Sequence, residues 1–372
     1  MVEPNEKPDA ADAAAPAEAP AIHVAPSPHV ADTSRTTRSM MIDVLVALVP
    51  VAGFSLYVIG MYALKHLALC IGSCLAAEYV FTVMRGRKPM LADGSAAVTG
   101  LILALSLPGP APWYVSVIGS FVAIGIGKAL FGGLGQNIFN PAMVGRAFVM
   151  LAFAGAVGAS GYVVPAPASP SRPAGTTTQV ATAPVGPARA GHADVMTQAT
   201  PMTVAKKAAR GETLVENERR PSRAAMFLGT VNGSLGETSA LCCLLGGLYL
   251  CLRRTASWQI PAGVLLAVVV IGGILQLTSR PLLTVLDHLL GGALLFGAFF
   301  IATDLVTSPL TPKGKFIFGL GVGSLVMVIR TLSNYPEGVM FAVLLMNGVV
   351  PLINRWTIPT PVGGPMPEKK AG

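Results

Sequence analysis

Charge is scarce in this sequence: 12% of its 372 residues are Asp, Glu, Lys or Arg, against 52% hydrophobic. A soluble chain of this length needs more polar side chains to cover its surface, so the composition points to a membrane protein. Aromatic residues are also few, at 6%, and are not interleaved with basic residues on a common face. Lys plus Arg exceed Asp plus Glu by 26 to 18, but the excess lies in short runs between apolar stretches. That distribution argues for orientation in a bilayer and against nucleic acid. Only five cysteines occur, Cys70, Cys74, Cys242, Cys243 and Cys251, all inside apolar segments. An odd number at lipid depth argues against a disulfide framework. Cys70 and Cys74 share a helical face, yet no His or further Cys stands at ligand spacing, so a metal or iron–sulfur site is not expected. Residues 1–34 lack an apolar core and are rich in Ala, Pro and acids. They are expected to be a disordered cytoplasmic tail, neither signal peptide nor helix.

What the sequence does hold is apolar segments. A spanning helix needs about 20 largely apolar residues, and ten candidates are present: 41–60, 63–84, 95–107, 113–131, 139–157, 235–252, 258–277, 283–303, 316–332 and 338–353. The third is short. Basic residues favour short cytoplasmic loops. Arg35 and Arg38, Arg85 to Lys88, Arg253 and Arg254, Lys313 and Lys315, and Arg355 with Lys369 and Lys370 all fall on one side if every segment crosses. Both termini are then cytoplasmic.

The expected fold is an all-α polytopic membrane protein of about ten transmembrane helices. Its expected parts are the tail at 1–34, a five-helix half at 35–157, an external loop at 158–223, a second five-helix half at 224–356 and a cytoplasmic C-terminal tail at 357–372. Two halves of five crossings have opposite orientations, as an inverted repeat would. In what look like corresponding places, each carries a Gly/Pro-interrupted segment, FGGLGQNIFNPAMVGR and TDLVTSPLTPKGK. Such breaks are tolerated at membrane depth only where the backbone faces protein or a ligand.

The external loop contains HADVMTQATPM. Its Asp194, Thr197, Ala199 and Thr200 resemble the Asp-x-x-Ser/Thr-Gly-Ala-Thr signal read by flavin transferases, which join FMN through its phosphate to the last threonine. The resemblance implies Thr200 as the attachment point, with Asp194 and Thr197 completing the motif. Gln198 stands where that pattern has Gly, and Gly would supply a positive φ more readily. A threonine hydroxyl is a poor nucleophile without a base or metal, so the transferase must provide the activation.

Longer motifs agree in order. FGGLGQNIFNPAMVGRAF, GSLGETSALCCLLGGLYL, HLLGGALLFGAFFIATDLVTSPLTPKGK and NYPEGVMFAVLLMN resemble the family of Rnf electron-transport D subunits and the B subunits of sodium-pumping NADH:quinone reductases. Chain length and the ending PLINRW lean toward the Rnf side. The resemblance implies a fold similar to urea and ammonium channels, covalent FMN on the outer side and a noncovalent riboflavin within the bundle. It also implies partner subunits bearing iron–sulfur clusters and another flavin. Electron flow from ferredoxin or NADH would be coupled to sodium or proton translocation across the bacterial inner membrane, and the chain alone would catalyse nothing. A quinone-reducing subunit and a flavin-free channel or permease are the rival readings.

Ionisable residues at lipid depth are functional candidates. Those singled out are Glu78, Asp93, Lys128, Arg146, Glu237, Asp287, Asp304 and Arg330. Glu78 is the deepest acid, about 9 Å from the end of its span at the helical rise, and needs a partner or a proton. Glu78 and Asp304 are the candidates for ion passage. Asn137 and Asn140, in the first interrupted segment, could offer amide donors to a second flavin; tight packing of small residues is the alternative reading of that segment.

Overall fold

The computed structural model describes residues 36–87, 91–158, 222–229, 233–237, 239–278, 284–333 and 338–359, together with the backbone of two short strands at 162–164 and 196–198. The chain is helical almost throughout. Helix α1 spans Thr37–Ile59 and α2 spans Met61–Met84. Gly60, at φ 65°, makes the sharp turn between them, a conformation that costs a residue without a Cβ little. The first half continues with α3 (Ser95–Ser106), α4 (Trp113–Ile124), α5 (Pro141–Ala152) and the short α6 (Ala154–Gly158).

Strands β1 (Tyr162–Val164) and β2 (Met196–Gln198) pair antiparallel. A short α7 (Arg223–Leu228) leads into the second half, which comprises α8 (Ala240–Leu252), α9 (Gln259–Thr278), α10 (Val285–Leu290), α11 (Leu294–Phe296), α12 (Pro312–Leu332) and α13 (Val339–Thr357).

Five of these helices, α1, α2, α9, α12 and α13, are long and apolar enough to cross a membrane, and α3, α4, α5 and α8 are shorter apolar helices. The protein is an all-α polytopic membrane protein. At 1.5 Å per residue, the 12 residues of α3 or α5 reach about 18 Å, short of the ~30 Å hydrocarbon core. At least one end of each therefore stops short of the thickness that α1 and α2 span. The eighth apolar segment, read from sequence as one span over 283–303, is broken into α10, α11 and a π-turn over Gly297–Ile301. A second π-turn, Gly125–Ala129, extends α4.

The two halves repeat in their packing. In the first, α2 lies against α3 and α4, and α4 against α5; in the second, α9 lies against α10 and α12, and α12 against α13. Like-numbered members meet across the halves, α1 on α8 and α5 on α13. The interrupted segments do not correspond, contrary to the sequence expectation. One lies between the fourth and fifth members of its half and the other between the third and fourth. The segment bounds read from the sequence already place them so, at 131–146 between the fourth and fifth segments and at 303–315 between the third and fourth of the second half.

Close helix approach fixes these contacts. A Cβ on Gly246 of α8 would collide with the Ala47 carbonyl of α1, and one on Gly100 of α3 would lie 2.8 Å from the Cys70 carbonyl of α2. Ser55 of α1 donates to the Leu235 carbonyl, joining the halves again. Helix α3, all of whose residues except Ala97 are buried, forms the centre of the first half.

Candidate functional site

Polar residues converge where the short helices end. Asn140 caps α5, with Pro141 in the first turn where its missing N–H costs nothing. Its Oδ1 accepts from Met143 N at 3.3 Å. Its Nδ2 donates to the Ile301 carbonyl at 3.3 Å and to Asp304 Oδ2 at 3.4 Å. With the Asn347 amide turned to satisfy both neighbours, its oxygen accepts from Asn140 N at 3.0 Å. Asn140 thus ties the start of α5 to the end of the second π-turn and to α13. Thr311 and Pro312 repeat the cap-then-proline device at α12, where Thr311 Oγ1 accepts from Gly314 N at 3.0 Å.

The first π-turn presents Lys128 inward. Lys128 Nζ donates to Glu78 Oε2 at 2.9 Å and to Ser95 Oγ at 2.7 Å. Ser95 Oγ in turn donates to Asp93 Oδ1 at 2.9 Å. The Lys128 side chain is 3% exposed and that of Glu78 16%. Glu78, which the sequence says must find a partner, finds it 50 residues along the chain. Just beyond, Gly132 and Gly133 take φ 126° and 112°, and Arg85 and Arg87 donate to the carbonyls of Ala129 (2.9 Å) and Gly132 (3.0 Å). These bonds satisfy backbone groups freed where the helix stops.

Two cavities adjoin at Lys128 and Leu134. The wider, about 460 Å³, is lined by Glu78, Asp93, Arg85, Arg87 and Gly132. The smaller, about 80 Å³, has a mostly apolar wall that includes Met41, Ile102 and Leu250, on which Asn137, Asn140 and Asp304 are the main polar groups. Asp304 accepts from Val306 N and Thr307 Oγ1, both at 3.2 Å, as well as from Asn140. Asn137 donates through Nδ2 to the Phe139 carbonyl at 3.2 Å, and its Oδ1 is buried with no partner among the described residues. Of the two residues assigned from sequence to a second flavin, Asn140 gives both amide hydrogens to Ile301 and Asp304, whereas Asn137 gives one to Phe139 and keeps the other N–H and its Oδ1.

The remaining candidates separate. Asp287 closes a capping box with Thr284 and pairs with Arg223 at 3.5 Å. Glu237 bonds to Ser234. Arg330 donates to the carbonyls of His288 (2.7 Å) and Gly291 (2.8 Å), holding the break between α10 and α11. Arg146 keeps one buried nitrogen with no partner among the described residues. Thr197 lies in β2, opposite Val163, while Asp194 and Thr200 lie outside the described residues.

Sequence reasoning missed Asp43, which accepts from Thr255 Oγ1 (2.8 Å), Arg253 (3.2 Å) and Tyr249 (3.3 Å) and locks α1 to the end of α8. The rule that singled out Glu78 applies to it equally. His66 was also missed: it is fully buried and bridges Ser116 Oγ at 2.7 Å and the Gly109 carbonyl at 2.9 Å.

Fold and site together define a multi-helix membrane protein whose two similarly packed halves meet around a buried polar centre of broken helices. Within that class, the chain belongs to the NQR2, RnfD, RnfE family, whose model matches residues 23–363. It is 38% identical over 346 residues to the D subunit of the proton-translocating ferredoxin:NAD(+) oxidoreductase complex of Clostridium ljungdahlii, covering 91% of this chain and 96% of that one. Identity to the D subunit of the Na(+)-translocating ferredoxin:NAD(+) oxidoreductase complex of Acetobacterium woodii is 37% over 336 residues, 90% of this chain and 93% of that one. The D subunit of the ion-translocating oxidoreductase complex of Stutzerimonas stutzeri is 41% identical over 330 residues, 87% of this chain and 91% of the relative.

Proposed function

We propose that this chain is the flavin-carrying membrane subunit of an Rnf-type complex, in which electron transfer between ferredoxin and NAD is coupled to translocation of sodium or protons. The observation that carries the reading is its near-full-length similarity to the D subunits of such complexes from three organisms. The partners on this reading are the iron–sulfur and flavoprotein subunits of that complex, and the bilayer is the bacterial cytoplasmic membrane. The termini face the cytoplasm and the segment between the halves faces outward.

Thr200 is the proposed anchor of FMN through a phosphoester formed by a flavin transferase, with Asp194 and Thr197 as the recognised motif. Support comes from the sequence Asp194 to Thr200 itself and from its place between the two halves. The strand bearing Thr197 is paired with the one that follows α6. Pro201 fixes φ directly after the anchor. When bound, the flavin supplies one- and two-electron redox chemistry; the chain's part is to hold it in place and set its surroundings. A noncovalent riboflavin, which the family resemblance implies, would find one N–H and the Oδ1 of Asn137 available, but would require Asn140 to release an acceptor.

Glu78 and Asp304 remain the proposed acids of ion passage, with Lys128 as the charge that holds Glu78. Neutral replacement of both acids is expected to uncouple electron transfer from transport; unchanged coupled transport in that variant rejects the role. The flavin assignment is tested on a denaturing gel of the complex isolated from a host that makes the transferase. The band of this polypeptide is expected to fluoresce under ultraviolet light and to go dark in Thr200→Ala. A dark wild-type band overturns the assignment and favours a flavin-free permease.

A further inference from the structure

The wider cavity, about 460 Å³, carries one cation more than its carboxylates balance: Arg85, Arg87 and Lys128 stand on its wall against Glu78 and Asp93. Lys128 is taken up by Glu78 at 2.9 Å, and Asp93 accepts from the backbone N and the hydroxyl of Ser95 at 3.0 and 2.9 Å. Neither arginine pairs with an acidic side chain among the described residues, and both are exposed. Arg85 Nη1 donates to the Ala129 carbonyl at 2.9 Å and Arg87 Nη1 to that of Gly132 at 3.0 Å, while Gly132 N donates to the same Ala129 carbonyl at 3.2 Å. Two guanidinium groups are thus seated on one turn, each with Nε and Nη2 hydrogens not used within the described residues.

Towards the membrane centre the lining turns apolar. Phe81, one helical turn before Arg85, lines the cavity with Ile124 and Leu134. Phe81 meets Phe121 edge-on, ring centroids 6.4 Å apart, and Phe121 and Leu130 are exposed. The apolar strip therefore runs from the cavity onto the outer surface of α4 and the turn that extends it.

We propose that this cavity seats the headgroup of an anionic phospholipid, its phosphodiester on Arg85 and Arg87 and its acyl chains along Phe81, Phe121 and Leu130. The planar fork of arginine matches the paired oxygens of a phosphate. A phosphodiester brings a single negative charge, which is the excess the wall carries, whereas a phosphate monoester brings about two. Thr37 and Thr82 on the same wall offer hydroxyls to a polyol headgroup such as that of phosphatidylglycerol. The space suits an organic headgroup and exceeds what a bare ion fills. Basic pockets between transmembrane helices on the cytoplasmic side are where anionic headgroups bind. The choice of leaflet rests on the proposed topology; the choice of ligand rests on neither the flavin nor the transported ion.

The test measures thermal unfolding of the intact purified complex, stripped of lipid in dodecyl maltoside, as the mole fraction of phosphatidylglycerol or of phosphatidylethanolamine in the micelles is raised. Wild type is compared with Arg87→Gln, with Arg85→Gln/Arg87→Gln and with Arg254→Gln, an exposed arginine of another basic loop that is not on the cavity wall. Phosphatidylglycerol is expected to raise the wild-type melting temperature saturably. The half-saturating fraction is expected to rise about fivefold in Arg87→Gln and about thirtyfold in the double variant, the scale of one and two cations at a membrane surface, and to stay unchanged in Arg254→Gln. Reading half-saturation separates lipid binding from any stability lost when the Ala129 and Gly132 carbonyls are freed.

Unchanged half-saturation in Arg87→Gln overturns the proposal. So does an equal response to phosphatidylethanolamine or an equal shift in Arg254→Gln, because the attraction is then that of a basic surface at large. Soluble sn-glycerol 3-phosphate that reproduces the full wild-type shift also overturns it, since the site then takes a free phosphate and needs no lipid. If the double variant fails to assemble, Arg87→Gln decides.

Discussion

At the scale of single residues, the buried Glu78–Lys128 pair governs the polar centre. Removing one partner of a buried ion pair typically costs about 3–5 kcal/mol, more than the pair itself is worth. Lys128→Met is therefore expected to lower the unfolding temperature of the complex sharply, and the double change with Glu78→Gln to recover most of that loss. Equal damage from single and double variants contradicts the pairing. Asp43→Ala strips an acceptor from Thr255, Tyr249 and Arg253 at the seam between the halves and is expected to destabilise by about 1–3 kcal/mol. The reading is made by chemical denaturation of the purified complex, and an unchanged midpoint removes Asp43 from the seam. Glu78, Lys128 and Asp304 were all legible in the sequence as ionisable residues in apolar surroundings. Which of them pair was not, because partners 50 residues apart leave no local pattern.

At the scale of elements, the apolar segments were legible within a few residues, 316 expected against Pro312 observed for α12, and the helix interiors were not. Asn140-Pro141 and Thr311-Pro312 announce α5 and α12 through a capping side chain followed by a residue without an N–H. The two π-turns carry no comparable sequence mark, since i→i+5 bonding is imposed by packing; such turns recur at functional sites, and here each leads into the polar centre. The break of the eighth segment escaped because Gly291-Gly292-Ala293 lies in an apolar run. Close packing of α1 on α8 depends on Gly246 having no side chain. Gly246→Val is expected to cost about 1–3 kcal/mol through overpacking, with Gly53→Val, whose added Cβ has open space, as the control. Equal thermal shifts for the two variants contradict the packing account.

At the scale of the whole molecule, composition and basic loops gave the class, and the structure adds that the order of helix neighbours repeats between the halves. Five members per half implies that the segment joining them lies on the side opposite the Arg85 and Arg87 loop. A membrane-impermeant thiol reagent should therefore reach a cysteine placed at position 87 and one placed at position 180 from opposite faces of sealed vesicles. Labelling of both from the same face removes the topology and with it the outward flavin. The attachment motif was legible only through its resemblance to a transferase signal, because nothing in the fold forces a threonine there.

The most direct measurement is peptide mass spectrometry across residues 192–204 of the chain taken from active complex. The account predicts that the peptide carries FMN joined through phosphate to Thr200 and that Thr200→Ala yields only the unmodified peptide. A wholly unmodified wild-type peptide from complex that still couples electron transfer to ion transport contradicts it.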